Sequence, residues 1–295
     1  MHRVLRRVAL IPLFCLASES VAGGGTADLL LIPTPASATE MSMGAAGRAL
    51  ASGPGAVLGN VAGLGSGFSA AGGRWNLQTT SVSASAAFRV GTGAHVGVGL
   101  RYLGRGGLVE RDQQGAETGE YSFSSGTAGA GLSWRVGEDF AVGGSLGAAW
   151  ENVADEGGTG LTAGLGIRGR PVENLVAGVL VDGLGQPPSW NGVYKDMPTT
   201  VWTGAAYSLS ETLTGFGGAR IGFNTAAAYG GGARALWGGL SVSAGYDLSA
   251  EAEMEGLFGG VGYVYRTTET YLVEVAFSQR AELSWPVMAG LSVWF

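Results

Sequence analysis

The sequence predicts an all-β chain closed into a transmembrane antiparallel β-barrel of about fourteen strands, with a short, partly helical N-terminal plug. Three observations predict it. Only 14% of the 295 residues are charged, against 46% hydrophobic and 55 glycines, where a water-facing domain carries about 25% charged residues. After the first 22 residues no stretch approaches the roughly 20 apolar residues of a membrane helix. A chain with this surface must therefore cross a bilayer as strands, and strands in lipid must close on themselves to pair their backbone groups. Finally, apolar residues recur with period two over segments of about ten residues that end in aromatics.

The first 22 residues read as a signal peptide: Arg3, Arg6 and Arg7 form a basic start, Val8 to Ala17 a short apolar core, and Ser20-Val21-Ala22 a cleavage site. Cys15 is the single cysteine, and Phe14 before it does not suit a lipoprotein site. Cleavage leaves no cysteine, and with it no disulfide, thiol chemistry or cysteine metal site. It also leaves 14 basic and 22 acidic residues. No basic block suggests nucleic acid.

The strands follow in order. Phe68 to Leu77 opens the barrel. Val82 to Phe88, Ala94 to Tyr102 and Ala128 to Trp134 alternate apolar with small or polar residues. Phe140 to Glu151 is a cleaner case, with Phe140, Val142, Leu146 and Trp150 on one face. Leu161 to Ile167, Leu175 to Val181 and Val201 to Leu209 come next. Leu213 to Phe223 and Ala227 to Trp237 are rich in Gly and Ala. Leu240 to Leu248, Leu257 to Tyr265 and Tyr271 to Phe277 precede the last strand, Trp285 to Phe295. In that strand Trp285, Val287, Ala289, Leu291, Val293 and Phe295 share a face. Its terminal aromatics are separated by about 23 Å along the membrane normal, at roughly 3.3 Å per residue and a tilt near 45°. That matches an apolar band of about 25 Å.

Loop lengths test the count. Val90 to Gly93, Val136 to Asp139, Gly169 to Asn174, Ser210 to Thr212 and Thr267 to Glu269 are short and fall on one side, as periplasmic turns should. The two longest connections, Gly104 to Glu120 and Asp182 to Pro198, fall on the other and are expected to be extracellular. A soluble β-sandwich would also alternate, but an aromatic final residue on the last strand points to the barrel. The chain is therefore read as 1–22 signal peptide, 23–66 plug and 67–295 barrel. It is expected to sit in outer-membrane lipid with both termini periplasmic, and Phe295 to be its handle for the barrel-assembly machinery.

Residues 28–66 lack a strand pattern. Ser42 to Ala51 suits a short helix with Ser42 as its cap, broken by Gly53-Pro54-Gly55. The stretch Met41-Ser42-Met43-Gly44-Ala45-Ala46-Gly47-Arg48-Ala49-Leu50-Ala51, followed by Asn60-Val61-Ala62-Gly63-Leu64, resembles the N-terminal signature of PorV/PorQ-type outer-membrane proteins, which belong with FadL-like barrels. In that family Asn-Pro-Ala-Gly-Leu is usual, and Val61 stands at the proline. Leu100-Arg101-Tyr102-Leu103, Val181-Asp182-Gly183-Leu184-Gly185 and Met197-Pro198-Thr199 extend the resemblance along the chain. It implies a fourteen-stranded, plugged barrel and two functions. FadL-like members pass hydrophobic molecules through the outer membrane; PorV-like members serve as attachment or shuttle components of a type IX-like protein secretion system.

No residue pattern supports catalysis or a cofactor. His95 is the one histidine of the processed chain and points inward near the short-turn end of its strand, away from where a barrel hydrolase would use it. Asp112 with Glu117, or Asp155 with Glu156, could hold calcium weakly, but solvated loop charges are the plainer reading, and no metal site is assigned. The glycine runs Gly23-Gly24-Gly25 and Gly230-Gly231-Gly232 lack a phosphate-loop lysine. By parity Arg89, Arg101, Glu151, Arg220, Arg234 and Glu274 face the lumen, either lining an aqueous path or pairing with each other and the plug. Arg101, Arg220, Arg234 and Glu274 are the lumen-lining candidates, with Arg48 as a plug partner for Glu274. Met41, Met43 and Asn60 are the ligand-binding candidates, and Leu29, Leu30 and Leu31 share the apolar character of the two methionines.

Overall fold

The computed structural model describes residues 34–75, 79–112, 114–154, 156–186, 188–190, 193–194, 197–223, 227–249, 255–279 and 285–295. The expected signal peptide and Leu29 to Leu31 lie outside them. Fourteen strands close an antiparallel barrel in chain order: β1 (Gly67–Arg74), β2 (Thr80–Val90), β3 (Ala94–Arg111), β4 (Glu117–Val136), β5 (Phe140–Val153), β6 (Glu156–Val172), β7 (Leu175–Gln186), then β10 (Thr200–Ser208), β11 (Leu213–Gly222), β12 (Ala228–Trp237), β13 (Leu240–Ser249), β14 (Gly256–Arg266), β15 (Thr270–Ser278) and β16 (Val287–Trp294). A two-stranded hairpin of β8 (Ser189–Trp190) and β9 (Val193–Tyr194) stands between β7 and β10. The seam pairs β1 with β16, from Gly67 opposite Trp294 to Arg74 opposite Val287. Each segment read as a strand from its period contains one, with Asn76 and Leu77 of the first outside the described residues.

Alternation sets the two faces. On β5, Phe140, Val142 and Leu146 point out while Ala149 and Glu151 are buried inside. On β16, Val287 and Leu291 are exposed and Met288 is buried. Such an outer face, apolar and unpaired, suits lipid and not water. Aromatics ring it at both ends: Phe68, Phe88 and Phe295 form one cluster with centroids 5.6–6.4 Å apart, and Phe277 meets Trp285 at 5.8 Å. Leu146, mid-strand and 73% exposed, tests the assignment. Leu146→Arg should destabilise the barrel in lipid by about 2–4 kcal/mol, measured by urea unfolding in liposomes. An unchanged midpoint would mean that this face meets water.

The two expected long loops differ from expectation. β3 and β4 continue beyond the rest of the wall, pairing as far as Arg111 opposite Glu117. The turn at their tip is closed by Asp112, whose Oδ1 accepts from the N–H groups of Gln114 (2.9 Å) and Ala116 (2.8 Å). β7 likewise continues to Gln186. Alternation reports burial on one face only. The β3–β4 extension is exposed on both faces, so the period vanishes although the ladder does not. Asp112 and Glu117 are used by the hairpin itself, Glu117 pairing with Arg111 at 2.6 Å.

The expected helix from Ser42 to Ala51 is also displaced. The helix is α1 (Ala38–Met41), capped by Ser37, whose Oγ accepts from Glu40 N at 3.1 Å; Ser42 is its C-cap. Gly44 stops it, with φ 54 in the left-handed region that favours glycine. Short 3₁₀ turns follow at Gly44–Ala46, Pro54–Leu58 and Val61–Gly63. The last is capped by Asn60, so Val61 occupies the first position after a cap, where a proline's missing N–H costs nothing.

Candidate functional site in the barrel interior

Residues 34–66 cross the interior and touch almost the whole ring. α1 packs on β14, β15 and β16; the Gly44–Ala46 turn packs on β10 to β13; Pro54–Leu58 reaches β1, β2, β3, β4 and β16; Val61–Gly63 reaches β4, β5 and β6. The inward glycines make this possible. A Cβ at Gly131 would lie 2.6 Å from Val61 Cγ2, one at Gly143 2.9 Å from Ala62 N, and one at Gly218 2.7 Å from Ala46 Cα. Bare backbone is what lets the segment lie directly on the wall.

Polar side chains from around the barrel fasten the segment. Ser83 on β2 donates to Ala36 O at 2.6 Å, and Arg101 on β3 donates to Thr34 Oγ1 at 2.8 Å. Asp247 on β13 accepts from Ala45 N at 3.0 Å. Glu274 on β15 accepts from Thr39 Oγ1 at 2.7 Å and Ser42 Oγ at 2.9 Å, with Arg234 of β12 3.5 Å away and also donating to Ser42 Oγ. Arg48 does not reach Glu274. It pairs with Asp182 on β7 at 2.5 Å, both largely buried, and donates to Leu58 O at 3.2 Å. Asp182 sits where the β6–β7 register slips between Ala163 and Leu165, and such an irregularity re-aims a side chain. The Trp202 ring lies between the Arg48 and Arg220 guanidiniums, at 5.4 and 5.8 Å, a favourable approach of cation to ring face. Glu40, on α1 and not on a spanning strand, accepts from Ala36 N at 2.8 Å. Its burial pushes the carboxyl above its usual range, against the opposing pull of Arg48 and Arg101.

Most of the sequence-derived candidates lie buried in or against this segment, in different roles. Asn60 is fully buried, with Nδ2 at 2.8, 3.0 and 3.3 Å from the carbonyl oxygens of Ala49, Ile167 and Val179; its Oδ1 caps Ala62 N. Met41 packs with Ala71, Ala276 and Met288, and Met43 with Phe216 and Phe258. Arg101, Arg220 and Glu274 are 3–4% exposed, and Arg234 is half-buried. Glu151 is buried on the inner face; Arg89 is exposed at the short-turn mouth. Sequence reasoning missed Glu40, Asp182, Trp202 and Asp247. Parity alone places Asp247 inward, since Leu240, Val242, Tyr246 and Leu248 on the same strand face out.

Two small spaces flank Arg48, of about 40 and 50 Å³. A cavity of roughly 150 Å³ accommodates benzene, so these are too small for an aromatic ring. Among the described residues, no group of three or more His, Asp or Glu side chains could hold a metal ion.

No family model matches the chain, and no curated protein matches it. Solved structures do. The toluene transporter TbuX of Ralstonia pickettii is 14% identical, with a TM-score of 0.60 over 86% of this chain and 98% of that one. The monoaromatic hydrocarbon channel CymD is 14% identical, with 0.62 over 87% and 98%. A FadL homologue of Pseudomonas aeruginosa is 8% identical, with 0.60 over 88% and 98%. At these identities the likeness is one of fold, and the fold is a FadL-like barrel.

Proposed function

We propose that the chain is a passive channel of the outer membrane for small hydrophobic molecules, closed by residues 34–66 acting as its plug. The observation that carries this reading is a lipid-facing fourteen-strand barrel whose interior is filled by a separately fastened N-terminal segment, in the fold of a toluene transporter and a monoaromatic hydrocarbon channel. Spaces of 40 and 50 Å³ beside the plug require it to shift before a solute enters. Diffusion down a gradient then needs no further chemistry from the wall. In this reading the short turns and both termini are periplasmic, and the exposed Phe295 just after the last strand serves barrel assembly.

The test is toluene flux into liposomes carrying the protein with and without residues 34–66. Flux should be slow with the plug and rise by an order of magnitude or more without it. No flux in either case overturns the proposal. The PorV-like alternative, attachment of secretion-system proteins, is favoured by one feature, the β3–β4 hairpin that stands beyond the wall with both faces exposed. Detergent pull-down should recover such partners with the full hairpin and lose them when residues 106–120 are replaced by a short turn.

A further inference from the structure

The short-turn mouth holds a cavity of about 500 Å³ that the plug does not fill. Its floor is Ala62, Gly63 and Leu64 of the inner segment, and its wall comes from β2 to β6. Four of the chain's 17 basic residues converge on it, Arg89, Arg135, Arg168 and Arg170, together with His95, against two carboxylates, Glu138 and Asp139 of the β4–β5 turn. This is a concentration of positive charge in a chain of net charge −6.

The register shows how the cations are aimed. Arg135 on β4 pairs across to Ala141 on β5, and Ala141 pairs across to Arg168 on β6. The two arginines thus flank one alanine, with Cα atoms about 10 Å apart, two strand spacings. All three face inward. The alanine methyl leaves the space between the guanidiniums open. Among the described residues, neither Arg135, Arg168 nor Arg170 has a carboxylate within ion-pair distance, and Arg168 Nε is buried without a hydrogen-bond partner. Arg168 is half-buried while Arg89, Arg135 and Arg170 are exposed to the cavity, and the planar donor forks of these guanidiniums match the oxygens of a phosphate or carboxylate.

We propose that this vestibule is an anion-binding site, in which Arg135 and Arg168 grip one phosphate- or carboxylate-sized oxyanion above Ala141, with Arg89 and Arg170 adding positive charge around it. The site belongs to the mouth and is separate from whichever solute the plug admits. An anion held here meets every solute that leaves past the plug, and it neutralises cations that would otherwise repel one another.

Isothermal titration calorimetry on the full-length processed protein, in a sugar-headgroup detergent and chloride buffer, tests it with inorganic phosphate, acetate and benzoate. Phosphate or a carboxylate should bind with one-to-one stoichiometry. Arg135→Gln and Arg168→Gln should each weaken binding by about tenfold, the loss of one charge-assisted contact, while Arg111→Gln at the opposite end leaves it unchanged. Ala141→Asp supplies a tethered carboxylate between the arginines, so it should fold normally and lose anion binding. Phosphate tighter than both carboxylates assigns a free inorganic anion; benzoate several-fold tighter than acetate assigns an anionic group carried on an apolar body. No binding of any of the three to the unmodified protein overturns the proposal, as does full affinity in Ala141→Asp.

Discussion

Arg48→Ala is expected to loosen the inner segment, residues 34–66, by about 3–5 kcal/mol, the cost of removing one partner from a buried ion pair. Arg48 is 7% exposed at its side chain and lies 2.5 Å from Asp182, itself 16% exposed. Removing it strands the Asp182 carboxylate and also takes a cation from beside the buried Glu40. It further deprives Leu58 O of a donor and Trp202 of one of the two guanidiniums on its ring. The readout is amide hydrogen exchange over residues 34–66 in detergent, which should accelerate by roughly two to three and a half orders of magnitude. Exchange in the outward-facing strands should hardly change. The double variant Arg48→Met with Asp182→Leu should recover part of the loss, because removing both charges leaves nothing uncompensated at β7. It should not recover all of it, since Glu40 still needs a cation. Unchanged protection in Arg48→Ala would show that the pair does not hold the plug.

How much of this was legible in the sequence depends on what alternation reports. Period two distinguishes lipid side from lumen side residue by residue, so strand number, strand order and the inward direction of Arg101, Arg220, Arg234 and Glu274 could be read directly. It stops where both faces meet water, which is why the sequence alone reads the continuation of β3 to Arg111 as a loop. It also carries no information about distance around the ring. Arg48 could be expected to meet an inward acid, but whether that acid was Glu274 on β15 or Asp182 on β7 depends on where a segment without period enters the barrel. The register slip at Asp182 has no sequence signature beyond Gly183. The family resemblance singles out Asn60 as a ligand-contact candidate; its contacts are those of an anchor, because every polar atom of its amide is spent on backbone. The glycines carried the remaining information. Their number was visible, but their purpose appears only when Gly131, Gly143 and Gly218 are seen to lie under the plug.

Gly166→Leu is expected to open the proposed channel without deleting anything. Gly166 faces inward on β6, and a Cβ there would run into Asn60 Oδ1. Asn60 cannot retreat cheaply, being fully buried and held to Ala49, Ile167 and Val179. Overpacking at such a position costs about 1–3 kcal/mol, and the turn that moves aside also loses the Asn60 hydrogen bonds. The strand itself gains from the change, since leucine suits a pleated strand better than glycine. Its pairing with Gly143 and Leu180 uses backbone atoms only. The strain therefore falls on the plug and not on the barrel. Toluene flux in liposomes should rise by about tenfold to a hundredfold, following the shift of 1.4 kcal/mol per decade in the displaced population. Leu165→Phe, one residue away on the lipid face, should leave flux unchanged. If Gly166→Leu folds to a normal barrel and its flux stays at the unmodified level, the turn at residues 60–64 does not obstruct the path, and the channel must open elsewhere along the segment or not at all.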